Sequence, residues 1–441
     1  MNRFVRNSEQ IADAPTVLWM QGGPGGSSML GLFTENGPFT LNDYSHDYEE
    51  LKVFDNENSW HTLPANMLYV EHPAPTGFSY CSPRMCLWDD SNQAPVSYLF
   101  LKKFFEFYPE VRNNRFIMTG ESYAGVLVPT LAAEIINHRD LSNKHQAPWN
   151  LDSIALGNAC PGNRVFTCTP YSGWIGTKVA VDFRYRHGMI SDDKYEKINA
   201  ACNGQWETYE PPTSPTCVML LEDPIRPVMS EAGDTYSMGG GYFLYDTCRE
   251  ADGKINKSSH MRDAVVPSLE SIKRRLENGL DEIPNAGEYY CGQESSSLIY
   301  LNTPSVQKAL HVKPTKFSFS TPLDYKFTAY SLLDLYRNIL IPELQILQYS
   351  GDADPCVPYV GTQRWVRDMN LKTKKSWSPW IEPSRPNQPA GYLQIFDTSQ
   401  GSETIFAFAT VRDAGHMVPR AKPREALHLI RQFLSKFSDL K

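Results

Sequence analysis

A chain of 441 residues, 41% of them hydrophobic, can bury a large core, and α/β enzymes of this size can be one core plus an insertion. Its formal net charge of −8 argues against nucleic acid or an anionic membrane surface as the main partner. The sequence holds no apolar run of about 18 residues, so no membrane span is expected.

Residues 1–14 lack the apolar core of a signal peptide. Thr16 to Met20 reads as a buried strand and runs straight into Gly22-Gly23-Pro24-Gly25-Gly26-Ser27-Ser28. Asn66 to Val70 is a second strand candidate. Val96, Leu99, Phe100, Phe104 and Phe107 recur at helical spacing and predict an amphipathic helix. The apolar run Arg115 to Thr119 leads into Gly120-Glu121-Ser122-Tyr123-Ala124-Gly125, and helix-patterned text follows from Val126 to Ile136. Leu151 to Leu156, Leu344 to Gln348 and Ile405 to Val411 read as further strands, and Arg424 to Leu434 as a final helix. Strands alternating with helices predict an α/β fold, with a mostly parallel central sheet flanked by helices. Residues 174–299 differ: they are polar, interrupted by Pro211-Pro212, Pro215 and Gly239-Gly240-Gly241, and read as a helical and loop cap insertion. The core is thereby divided into 1–173 and 300–441. Ser376 to Pro389 reads as a loop between the last strands.

Nine cysteines are present, and none forms a C-x2-C set of the kind that binds zinc. Pairing of sequence neighbours, 81–86, 160–168, 202–217 and 248–291, is the simplest of many arrangements and leaves Cys356 as a free thiol. Reduced cysteines in a cytosolic enzyme are the alternative. Asn256-Lys257-Ser258 is an N-glycosylation sequon.

Ser122, on a strand-to-helix turn flanked by small Gly120 and Ala124, fits a nucleophile elbow. A serine hydroxyl needs a base, and the base needs an orienting carboxylate, in the chain order Ser, Asp or Glu, His for this fold class. Asp352 and Asp354 follow one predicted strand and His416 follows another, at the edge where catalytic groups gather in open α/β sheets. Spacing alone does not choose between the two aspartates. The glycine-rich turn lacks the Lys-Ser/Thr of a phosphate loop. It fits an oxyanion turn instead, with the amide after the nucleophile, that of Tyr123, as the second donor.

Together these segments resemble the serine carboxypeptidase family. The matching text includes Leu18 to Ser28, Glu35-Asn36-Gly37-Pro38, Pro75 to Tyr80, Gly120 to Gly125, His187 to Ser191, Ser350 to Thr362 and Gly415-His416-Met417-Val418-Pro419. The resemblance implies an α/β-hydrolase fold. It implies Ser122 as nucleophile, Asp354 rather than Asp352 as triad carboxylate, His416 as base, and Gly23 and Tyr123 as oxyanion amides. It also implies that Gln21, Gly22, Glu121 and Glu35 bind the substrate's C-terminal carboxylate, one of the two glutamates staying protonated. The expected activity is release of C-terminal residues from peptides through an acyl-enzyme, favoured at acidic pH, with no metal or organic cofactor. The expected setting is secretory: lysosome-like, vacuolar or extracellular. A homodimer is compatible with the resemblance.

Three departures from the family pattern stand out. Gln21 replaces an Asn. Gly26 replaces a Cys, so a disulfide under the oxyanion turn is expected to be absent. The Gly-Gly-Pro block lies close to Met1, where the family carries a signal and an antiparallel hairpin, so an incomplete amino terminus without the hairpin is expected. Two other readings of the site are an acyltransferase, which passes the acyl group to an alcohol, and a non-catalytic homologue that stabilises partner proteins.

Overall fold

The computed structural model describes residues 14–47, 51–63, 65–82, 86–138, 149–166, 168, 173–221, 241–249, 255–257, 289–398 and 404–437. The predicted first strand and hence the expectation about a preceding hairpin adjoin residues 1–13, which lie outside the described residues.

Among the described residues the central sheet has eight strands. In chain order they are β1 (Thr16–Met20), β2 (Asn66–Tyr69), β3 (Arg115–Glu121), β4 (Asn150–Gly157), β5 (Gln345–Gly351), β6 (Lys372–Ile381), β7 (Pro389–Asp397) and β8 (Ile405–Val411). Their order across the sheet is β6-β7-β8-β5-β4-β3-β1-β2. β7 pairs antiparallel with both its neighbours, and all other pairs are parallel. Strands β1, β5 and β8 are buried along their whole length, as expected when helices cover both sheet faces.

Alternation along β1 shows how the two layers are built, because successive side chains point to opposite faces. Leu18 and Met20 join a core with Phe116, Met118, Leu127, Leu131 and Trp365. That core includes helices α1 (Gln93–Phe107) and α2 (Ala124–Asn137). Val17 and Trp19 point the other way and pack with Trp60, Leu427, Ile430 and Phe433. The last three belong to the C-terminal helix Pro423–Leu434, whose proline at the first turn costs no hydrogen bond.

The helix expected near residue 96 forms as α1, but it packs through a different face. Ala94, Ser97, Leu101 and Phe105 are buried, whereas Val96, Leu99, Phe100 and Phe107 are exposed. The helix is apolar on two sides. The side with small Ala94 and Ser97 is the one that seats, with Phe105 stacked on Trp149. Residues 376–381, expected as loop, are the second half of β6. The strand carries register shifts and a proline, which an edge strand tolerates because its outer side has no ladder partner.

The insertion contributes α3 (Gly173–Arg186) and α4 (Asp192–Cys202). These enclose a small separate core of Val181, Ile190, Ile198, Trp206 and Leu221. Buried Asp182 ties α3 to the main body. It accepts from Lys178 at 2.8 Å, from Tyr195 Oη at 2.6 Å and from Arg364 on the helix Tyr359–Asp368. Among the described residues, disulfides 81–86, 160–168 and 202–217 are present, and Cys356 keeps its thiol. Cys291 is also disulfide-bonded. The expected 248–291 pair lies outside the described side chains.

Candidate active site

Parallel pairing brings five strand ends to one edge. Met20 is level with Gly120, Glu121 with Gly157, Tyr349 with Gly157, and Gly351 with Val411. The residues leaving those ends are Gln21, Ser122, Asn158, Asp352 and Asp354, and His416.

Ser122 has φ 62°, a left-handed conformation that a non-glycine residue adopts at a cost of order 1–3 kcal/mol. Main-chain bonds hold it there: Ser122 N donates to Gly157 O at 3.0 Å, and Cys160 N donates to Ser122 O at 3.1 Å. Gly120 must be small, because a Cβ there would come 2.6 Å from both Met20 O and Ala124 Cβ. Ser122 is partly exposed between buried Glu121 and Tyr123.

His416 Nδ1 lies 2.7 Å from Asp354 Oδ2. Asp354 is fully buried and accepts three further bonds: from Asn158 Nδ2 at 2.7 Å, Cys356 N at 2.8 Å and Val357 N at 3.1 Å. Asp352 instead caps a neighbouring turn, accepting from Asp413 N at 2.6 Å. Of the two aspartates open at the sequence level, Asp354 is the one against the histidine. The Tyr242 ring from the insertion packs 5.0 Å from the His416 ring, and its carbonyl accepts from His416 N at 2.7 Å.

The glycine turn lies directly on the elbow. A Cβ on Gly22 would sit 2.5 Å from Tyr123 N and 2.7 Å from Ser122 Cβ, and Gly23 has φ +114°. The turn is anchored without a disulfide. Gly26 bridges Ser320, Ser27 N donates to Phe319 O at 2.9 Å, and Thr321 N donates to Gly25 O at 2.9 Å. Ser27 Oγ also donates to Glu71 at 2.7 Å, and Ser28 Oγ to Val70 O at 2.6 Å.

Gln21, Glu35 and Glu121 form a buried group beside the turn. Gln21 Nε2 donates to Glu121 Oε1 at 2.9 Å and to Glu35 Oε1 at 3.3 Å, while Trp19 Nε1 donates to Gln21 Oε1 at 2.9 Å. The two glutamates are hydrogen-bonded to each other. Burial raises Glu35 to about 7, against the lowering effect of its hydrogen bonds from Glu121 and Gln21. Burial, the Glu35 charge and the Glu35 hydrogen bond hold Glu121 well above the ordinary carboxyl range. The group therefore retains a proton at neutral pH and below. Burial also pushes Glu71 up to about 7 and the Cys356 thiol well above its usual range.

Sequence reasoning missed Asn158. Its side chain spans the site: Nδ2 reaches Asp354, and Oδ1 accepts from Gly351 N at 3.0 Å. Its φ of 41° and its place just after β4 were the available signals. Half-buried Glu71 and buried Asp90 were missed as well.

A family model described as serine carboxypeptidase matches residues 3–436. Serine carboxypeptidase-like 21 of Arabidopsis thaliana is 29% identical, over 98% of this chain and 87% of its own. The lysosomal protective protein of Mus musculus is 30% identical, over 98% and 87%. Among solved structures, that of Kex1Δp, a prohormone-processing carboxypeptidase from Saccharomyces cerevisiae, aligns with a TM-score of 0.68 at 19% identity, covering 98% of this chain and 85% of that one.

Proposed function

The chain belongs to the serine carboxypeptidase family of hydrolases, and from that premise we propose that it removes C-terminal residues from peptides through Ser122, His416 and Asp354. The observation that carries this reading is the buried His416–Asp354 contact at the strand edge that also bears the strained Ser122. With Nδ1 committed to Asp354, His416 presents Nε2 as the base. Ser122 Oγ gives its proton to Nε2 and bonds to the carbonyl carbon of the last peptide bond. The Gly23 and Tyr123 amides donate to the developing oxyanion, a contribution of roughly 10²–10³ in rate per donor. The C–N bond breaks, and the departing amine takes the proton from Nε2. Water then repeats the sequence in reverse roles and frees the acyl group.

Specificity for a free C-terminus is assigned to the Gln21, Gly22, Glu35 and Glu121 group. A protonated Glu121 can donate to the substrate carboxylate, whereas an ionised one repels it. The Glu35 value of about 7 supports activity favoured at acidic pH. Residues 174–299 serve as a cap that shapes the substrate cleft, with Tyr242 packed against His416. The disulfides and the similarity to a protein named lysosomal support a secretory route.

Blocked dipeptides with a free carboxyl and the same peptides as carboxamides test the reading at pH near 5. The free acids are expected to be cleaved at least about tenfold faster. Equal rates reject the carboxylate group as the specificity element.

One observation favours a second reading. Both Gln21 amide hydrogens are spent on Glu35 and Glu121, so contact with a substrate carboxylate requires giving one up. Acyl transfer to an alcohol makes no such demand. An ester donor offered with an alcohol acceptor, with product analysed for transfer against hydrolysis, separates the two.

A further inference from the structure

Asp90 precedes Tyr123 by 33 residues and is 5% exposed. Its two oxygens collect five donors. Oδ1 accepts from Tyr123 Oη at 2.7 Å and Tyr325 Oη at 2.8 Å. Oδ2 accepts from the main-chain N–H of Thr328 at 2.5 Å, that of Ala329 at 2.7 Å and Asn163 Nδ2 at 3.2 Å. A carboxylate removed from water is costly, and charge-assisted bonds from all sides offset that cost. Asn163 closes the network, with Nδ2 also 3.1 Å from Tyr123 Oη and 3.1 Å from Ala329 O. The rings of Tyr325 and Phe327 stand edge-on to Tyr123 at 5.8 and 5.5 Å.

Tyr123 is thus held at both ends. Its main chain lies on the elbow against Gly22, and its phenol is fixed by Asp90. Oxyanion donors work because they are aimed before reaction, so a small rotation of the Tyr123 peptide is expensive. We propose that Asp90 is a positioning residue for acyl transfer: through the Tyr123 phenol it fixes the Tyr123 main-chain amide at the oxyanion position and orders residues 325–329 beside it. The proposal rests on the triad reading above. Every group around Asp90 is an N–H or O–H donor, so an asparagine there turns its own donor toward donors and releases the network.

The test compares wild type, Asp90→Asn, Tyr123→Phe and the double variant. The readouts are the rate of Ser122 labelling by a fluorophosphonate, kcat and KM on a blocked dipeptide, and Tm. Asp90→Asn is expected to lower kcat and labelling rate by about 10–100-fold while KM stays within about threefold. Tyr123→Phe is expected to lower both less, and the double variant to be no worse than Asp90→Asn, since the two act through one contact. A lower Tm with kcat and labelling within about twofold of wild type is what a merely structural carboxylate gives, and it overturns the proposal. Where Asp90→Asn does not fold, Tyr123→Phe decides, since it removes one O–H and leaves the other donors; an unchanged kcat there overturns the proposal. Wild type that neither labels nor hydrolyses overturns the triad reading and this proposal with it. Normal wild-type labelling beside an unimpaired Asp90→Asn overturns the Asp90 role alone.

Discussion

His416 Nδ1 and Asp354 Oδ2 stand 2.7 Å apart, with the aspartate wholly buried and bonded by three further donors. The carboxylate has no freedom to turn away, so the imidazole tautomer and orientation are fixed before substrate arrives. Asp354→Asn is expected to lower kcat by about 10⁴ through the wrong tautomer. Asn158→Ala keeps the carboxylate but removes one of its holders, and a loss of about tenfold in kcat with little change in KM is expected. Steady-state kinetics on a blocked dipeptide check both.

Glu35 and Glu71 predict two pH effects that run in the same direction. Glu35 and Glu71 are each raised from 4.5 to about 7, chiefly by burial. The folded state therefore holds their protons more tightly than the unfolded chain. Their contribution to stability is fully present below about pH 4.5 and is lost as pH rises through about 7. A higher Tm at pH 5 than at pH 8 is expected, and Glu71→Gln, which cannot ionise, should reduce that difference. Activity on free-acid peptides should fall over the same interval as the Glu35–Glu121 pair ionises.

Gln21 bridges both members of that pair, so its removal should affect binding more than chemistry. Gln21→Ala is expected to raise KM for a free-acid peptide by about tenfold, the cost of one or two hydrogen bonds to charged groups. The fluorophosphonate labelling rate of Ser122 should change little. KM and labelling measured on the same preparation check this.

Asp182 joins α3 to the main body through Arg364 and pairs within α3 with Lys178, its own side chain 3% exposed. Asp182→Ala leaves two largely covered cations without their partner and should destabilise the fold by about 3 kcal/mol. Urea unfolding reads the loss.

The strand-to-motif order was legible in the sequence because each strand of a covered parallel sheet is a short apolar run ending at a functional turn. Ile405 to Val411 is read to the residue. Periodicity was less informative for α1, where Val96, Leu99 and Phe100 form as regular a stripe as Ala94, Leu101 and Phe105, and packing alone chooses between them. Asp354 could not be told from Asp352 by spacing, since both leave β5; the turn that sends one to His416 and the other to Asp413 N is a tertiary fact. Asn158 and Asp90 carry no motif at all. Their roles exist only through partners distant in sequence, Asp354 being 196 residues from Asn158 and Tyr123 being 33 from Asp90. Residues 376–381 were illegible as strand because Pro379 and polar alternation mimic a loop on an edge that needs no outer partner.

The central claim is that Ser122 is the acylated nucleophile. Ser122→Ala, purified and shown by circular dichroism to be folded, should hydrolyse a blocked dipeptide at pH near 5 at least about 10⁴-fold more slowly than wild type. Fluorophosphonate should modify wild type at Ser122 alone and leave the variant unlabelled. A folded Ser122→Ala protein that retains wild-type turnover contradicts the claim.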